Sequence, residues 1–131
     1  MEKRSFIVLM ALFVVFVGFQ FAEPAAAVKV VDHGTNYGYS GQNGWMKVTW
    51  KTYQYNNNFL KTYATYYVKE NRKYIVSHRD TYTLSKVTKN TIKITEKTDS
   101  DMGPPVVKTY VKTKLTAAQY YWRVYRHNIL L

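Results

Sequence analysis

KVTWKTYQYNNNFLKTYATYYVK, residues 47–69, places two alternating runs on either side of three consecutive asparagines. On the N-terminal side, Met46, Val48 and Trp50 point one way and Trp45, Lys47, Thr49, Lys51 and Tyr53 the other. On the C-terminal side, Leu60, Ala64, Tyr66 and Val68 oppose Lys61, Tyr63, Thr65, Tyr67 and Lys69. A period of two with Tyr, Thr and Trp in both runs predicts strands, because side chains alternate across a pleated sheet. Asparagine tolerates turn conformations, so Asn56–Asn58 reads as the loop of a hairpin.

The two faces predict the register. Pairing Tyr55 with Phe59 around a three-residue loop sets Trp50 against Ala64, Val48 against Tyr66 and Met46 against Val68 on one side. The other side then carries Lys51 with Tyr63, Tyr53 with Lys61, Lys47 with Tyr67 and Trp45 with Lys69. A slip of one residue would mix core with surface, so burial of one face selects this pairing. Lys-Thr-Tyr at 51–53 and 61–63, and again at 108–110, is therefore the way this sheet spells its outer face.

Further strands are expected at 74–84, 91–97, 106–115 and 120–126. Val107, Val111 and Leu115 form an inner face, and Ile92 and Ile94 oppose Lys93, Thr95 and Lys97. Thr116-Ala117-Ala118-Gln119 has the form of a capping box, so a short helical turn is expected before the β-rich YYWRVY. Regular short strands with hairpin-length connections predict an all-β fold, a small antiparallel up-and-down meander forming a barrel or sandwich. Residues 45–131 make up this single domain. Residues 28–44, with the glycine cluster DHGTNYGYSGQNG, read as a flexible Gly/Tyr-rich arm.

Residues 1–27 read as a secretory signal peptide. Lys3 and Arg4 precede an apolar run from Phe6 to Phe19, and Ala25-Ala26-Ala27 suits cleavage between Ala27 and Val28. The run is shorter than the roughly 20 residues that span a bilayer, and no stable transmembrane segment is expected after processing. The remaining 104 residues keep the net charge of +11, because the leader carries two basic and two acidic residues. There is no cysteine, so stability rests on packing, with thirteen tyrosines and three tryptophans supplying large rings.

Catalytic motifs are incomplete. Gly38-Tyr39-Ser40-Gly41 lacks the residue that a nucleophile elbow places between serine and glycine, and no Gly-Lys-Ser/Thr follows the glycine cluster. Asp99-Ser100-Asp101-Met102-Gly103 opens like a calcium loop, but Tyr110 stands where the bidentate glutamate belongs. His33 beside Asp32 and His78 near Asp80 are the parts of an acid–base pair without the spacing of a motif. No catalytic residue, metal site or cofactor is assigned on these grounds.

What stands out is a cation–aromatic face formed by Lys47, Lys51, Tyr53, Lys61, Tyr63, Tyr67 and Lys69, with Lys108, Tyr110 and Lys112 on a later strand. Outward lysines also keep sheets from pairing edge to edge. The net charge of +11 nonetheless exceeds the roughly 2–8 that a small domain needs for solubility. The expectation is a secreted, non-enzymatic protein that contacts an anionic cell-wall polymer or an anionic lipid surface. Directed at a competitor, the same contact would make it bacteriocin-like. A small-ligand or carbohydrate-binding β-barrel using Trp45, Trp50 and Trp122 is the alternative, and a small secreted nuclease is third. Export makes a nucleic-acid partner a weaker expectation than the envelope.

Overall fold

The computed structural model describes residues 28–99 and 106–131. The expected leader, and most of the acidic turn after Asp99, lie outside these residues. Within them the chain forms six strands: β1 (Lys29–Ser40), β2 (Gly44–Asn56), β3 (Phe59–Glu70), β4 (Lys73–Thr88), β5 (Thr91–Thr98) and β6 (Val106–Lys112). A short helix α1 (Ala117–Arg123) and a 3₁₀ turn (Tyr125–Asn128) follow. The strands make one antiparallel sheet in sequence order, an up-and-down meander.

The β2–β3 register is the one that face alternation selects, with Val48 on Tyr66, Trp50 on Ala64 and Lys51 on Tyr63. Only the turn differs. Asn56 pairs with Phe59, so the loop is Asn57-Asn58 and Tyr55 is absorbed in an irregularity between Gln54 and Asn56. The Tyr55 and Phe59 rings still meet, 4.9 Å apart. The asparagines also hold the helix start: Ala118 N donates to Asn57 O at 2.9 Å, and Ala117 N to Asn58 Oδ1 at 3.4 Å.

The sheet is open rather than closed into a barrel, since β1 and β6 remain as two edges. The reason lies in residues 117–131, which pack across the inner face and take the space a closing barrel would enclose. Ala117, Tyr121, Tyr125 and Ile129, spaced four apart, are all buried against Val48, Trp50, Leu60, Ala64, Tyr82, Leu84, Ile92 and Ile94. The strand expected over 120–126 is thus helical. Thr116 and Gln119 complete the capping box: Gln119 N donates to Thr116 Oγ1 at 3.1 Å, and Thr116 N to Gln119 Oε1 at 3.0 Å. Lys86, pointing inward, anchors the approach to the helix by donating to the carbonyls of Thr113 and Leu115.

The glycine-rich segment expected as a flexible arm is strand β1, paired with β2 along its length. Its glycines serve packing. A Cβ on Gly34 would stand 2.8 Å from Trp50 Cη2, and one on Gly38 would stand 2.8 Å from Leu131 Cβ. Gly34→Ala should therefore destabilise the fold by about 1–3 kcal/mol, the usual range for overpacking. Gly41→Ala is the control, because nothing lies within 4 Å of its Cβ position. Equal denaturation midpoints for the two variants would contradict this account of β1.

Candidate binding face

Strand parity sorts the charges. On the inner side, Asp32, Asp80 and Glu96 share positions with the core residues Trp50, Leu84 and Ile94. Glu70 closes β3 at the turn into β4, and Asp99 lies just beyond β5, where its Oδ1 accepts from Arg79 N at 2.6 Å. The outer side carries Lys47 and Lys51 on β2, Lys61 and Lys69 on β3, Arg79 on β4, Lys93 and Lys97 on β5, and Lys108 and Lys112 on β6.

Each inner carboxylate is engaged. Asp32 is 7% exposed and accepts from Trp50 Nε1 at 2.9 Å, Tyr121 Oη at 2.6 Å and Arg126 Nε at 2.7 Å. Burial alone would raise its pKa, but the hydrogen bonds from Arg126, Tyr121 and Trp50 outweigh it and hold the carboxyl below its usual 3.8. The chain of bonds runs on through the Tyr121 hydroxyl to Thr52 and from Thr52 to Thr62, each at 2.7 Å. The central threonines of the first two Lys-Thr-Tyr copies are thus the polar heart of the core. Burial, reinforced by the Asp32 contact, pushes the Tyr121 hydroxyl well above the ordinary tyrosine range.

A second inner group gathers around His78. Its ring stacks on Tyr66 with centroids 4.7 Å apart, and its Nε2 is 3.6 Å from Asp80 Oδ2. Asp80 Oδ2 accepts from Tyr82 Oη at 2.8 Å, Tyr66 and Tyr82 share a hydroxyl–hydroxyl bond of 2.8 Å, and Tyr125 donates to Glu96. Burial first, then these partners, raises the Tyr82 and Tyr125 hydroxyls far above their ordinary values. His78 and Asp80 do share a face. His33 and Asp32 do not, since Asp32 is buried inside while His33 sits outside opposite Lys51.

On the outer side, the site residues on β2 and β3 form one contiguous field. Lys47 lies between Tyr37 and Tyr67 in the ladder, its Nζ 4.4 Å from the Tyr67 ring centre and 4.9 Å from that of Tyr74. Lys69 Nζ is 5.7 Å from Tyr74, and the Tyr53 and Tyr63 rings meet edge-on at 5.8 Å. Lys108, Tyr110 and Lys112 share this face but lie on the far edge, separated from β3 by β4 and β5.

Strands β4 and β5 bridge that separation with cations that the sequence-based site omits: Arg79, Lys93 and Lys97. Their parity is readable, since Ile92 and Ile94 are inward. Also outside the expected site are Tyr37 and Tyr39, hidden by the reading of β1 as an arm, and Tyr74. Lys61 is half-buried in the outer face. Burial, and then the charge of Lys97, lower its pKa. The aromatic content is equally exposed: Tyr39 and Trp45 form an edge-on pair at 5.4 Å, and Tyr63 and Tyr110 face solvent.

The tryptophans divide. Trp50 is a core residue, whereas Trp45 and Trp122 are about half exposed on opposite sides of the molecule. Fold and face together define a class: a small open antiparallel meander, plated on one side by a C-terminal helix and bearing cations and rings on the other. No family model matches the chain, and neither the curated proteins nor the solved structures provide a significant match.

Proposed function

We propose that this is an exported, non-enzymatic protein whose outer sheet face holds anionic polymers or anionic lipid of a cell envelope. One observation carries the reading: Lys47, Lys51, Lys61, Lys69, Arg79, Lys93, Lys97, Lys108 and Lys112 lie outside, whereas Asp32, Asp80 and Glu96 are turned into internal bonds. A face so sorted presents an uncompensated positive field, which attracts polyanions over a Debye length of about 8–10 Å near physiological salt. The tyrosines between the lysines offer apolar ring surface with a hydroxyl at the tip, suited to a polymer or lipid interface.

Purified protein is expected to sediment with isolated cell walls and with anionic vesicles at low ionic strength. It should be released as salt approaches about 1 M, where the Debye length falls to about 3 Å. Absence of binding to both at low ionic strength would end this reading.

The exposed Tyr39–Trp45 pair supports a second reading, a carbohydrate-binding platform. It predicts binding to neutral polysaccharide that salt leaves unchanged. The version with a ligand inside a barrel loses its basis, because the sheet is open and Trp50 is part of the packed core. For a nuclease, the parts lie apart: His78 is on the inner side and the lysines that would grip phosphate are on the outer side.

A further inference from the structure

The outer face is not uniform. Around β1–β3 Lys47 and Lys69 lie near rings, Lys47 over Tyr67 and Tyr74 and Lys69 near Tyr74. Toward β6 the pattern changes. Lys61 pairs with Thr83, Thr83 with Thr95, and Thr95 with Lys108, so two hydroxyl residues lie between two lysines in one row across four strands. Along β5, Thr95 is flanked on the same face by Lys93 and Lys97. Thr95 therefore has a lysine on three sides, with Lys61 one strand further on the fourth. At about 4.8 Å per strand and 3.3 Å per residue, the patch measures roughly 14 by 13 Å between backbone positions, within reach of four flexible ammonium arms.

Beside it, sharing Lys97, is a shallow groove of about 290 Å³ lined by Tyr63, Arg79, Asp80, Thr81 and Asp99 among others. Its volume is near the lower end for small-molecule sites, enough for a single polyol or sugar unit. The Asp99 carboxylate at its wall can accept hydroxyl protons from such a unit, and the Tyr63 ring can lie against its carbons.

We infer that Lys61, Lys93, Lys97 and Lys108, around Thr83 and Thr95, form a seat for successive phosphates of a phosphodiester-linked polyol chain, with the groove taking a polyol unit. The inference rests on the envelope-binding reading and names the chemistry of its partner. A phosphodiester-linked polyol is favoured over a polycarboxylate because its hydroxyls can donate to Asp99 in the adjoining groove, which a polycarboxylate leaves unfilled. Lysine acts as a point charge with rotatable donors, so several can meet the oxygens of successive phosphates from different directions. Four lysines and two hydroxyls meet here, and arginine enters only at the groove. A lysine that sits partly buried beside a second lysine is held in an energetically unfavourable array, and an arriving anion relieves it.

The test is calorimetric titration of the purified protein with poly(glycerol phosphate) and with polyglutamate of equal charge number, at one low ionic strength. Wild type should bind the phosphate polymer about tenfold tighter. Lys97→Gln combined with Lys108→Gln should weaken that binding roughly five- to tenfold, in line with two exposed ion pairs. The same change at the turn lysines, Lys73→Gln with Lys89→Gln, should cost less than about twofold. Lys97→Arg with Lys108→Arg keeps the charge and, since arginine also grips phosphate, should stay within about twofold of wild type. Phosphatidylglycerol vesicles offer the same phosphodiester on a surface.

Equal affinity for the two polymers, or equal losses in the two glutamine pairs, would overturn the seat while leaving envelope binding standing. Binding to the vesicles without binding to the free polymer would likewise overturn a polymer seat. If wild type binds none of the anionic probes, the seat and the envelope reading fall together.

Discussion

Asp32→Ala is expected to lower the unfolding free energy by about 3 kcal/mol. Removing one partner of a buried ion pair costs about 3–5 kcal/mol, and the lower end applies because the Arg126 side chain is 31% exposed and can recover water. Three donors lose their acceptor at once: the Trp50 indole, the Tyr121 hydroxyl and the Arg126 guanidinium. For a domain of this size, 1 kcal/mol corresponds to about 4–8 °C in melting temperature, so the loss should exceed about 10 °C.

The effect carries a pH signature. The folded pKa of Asp32 is lowered, so its contribution is complete above the unfolded value of 3.8 and disappears as pH falls through the folded value. Thermal melts followed by tryptophan fluorescence should separate wild type from Asp32→Ala at pH 7 and bring them together in strong acid. A gap that is unchanged at low pH would show that the charge of Asp32 is not what stabilises the fold.

The second large effect is expected at Ile129. Its side chain is 0% exposed, enclosed by the sheet with Tyr121 and Tyr125. Ile129→Ala removes buried carbon and leaves a cavity, for which about 2–5 kcal/mol is usual. Val106→Ala, on the edge strand and 41% exposed, should stay within about 0.5 kcal/mol. Urea titration of the two variants tests whether the C-terminal segment belongs to the cooperative core. Similar midpoints would mean that the segment only rests on the sheet.

The hairpin of residues 44–70 was legible because both runs separate apolar from charged positions, and only one register keeps them separate. The same parity placed Lys47, Lys51, Lys61 and Lys69 on one face with Tyr53, Tyr63 and Tyr67. What escaped had tertiary causes. Glycine density in β1 looks like a loop locally, but Gly34 and Gly38 are small because Trp50 and Leu131 lie against them. Tyr, Trp and Val in YYWRVY favour strands intrinsically, yet Ala117, Tyr121, Tyr125 and Ile129 follow helical spacing, and burial of that stripe decided the outcome.

Closure of the sheet had no local signal, since it depends on what fills the inner face. The site shows the same division. Parity puts Lys93 and Lys97 outside, but their position between Lys61 and Lys108 follows from the registers of β3 to β6.

The pinning of the sheet by residues near position 131 has a consequence for biogenesis. Arg126 joins Asp32, and Leu131 N donates to Asn36, across 94 and 95 positions of the chain. While the ribosome still encloses residues 117–131, the emerged strands lack Tyr121, Tyr125 and Ile129, and Asp32 has no cation. The core therefore stays incomplete until residues 117–131 have emerged, and the sheet waits on contacts of high sequence separation.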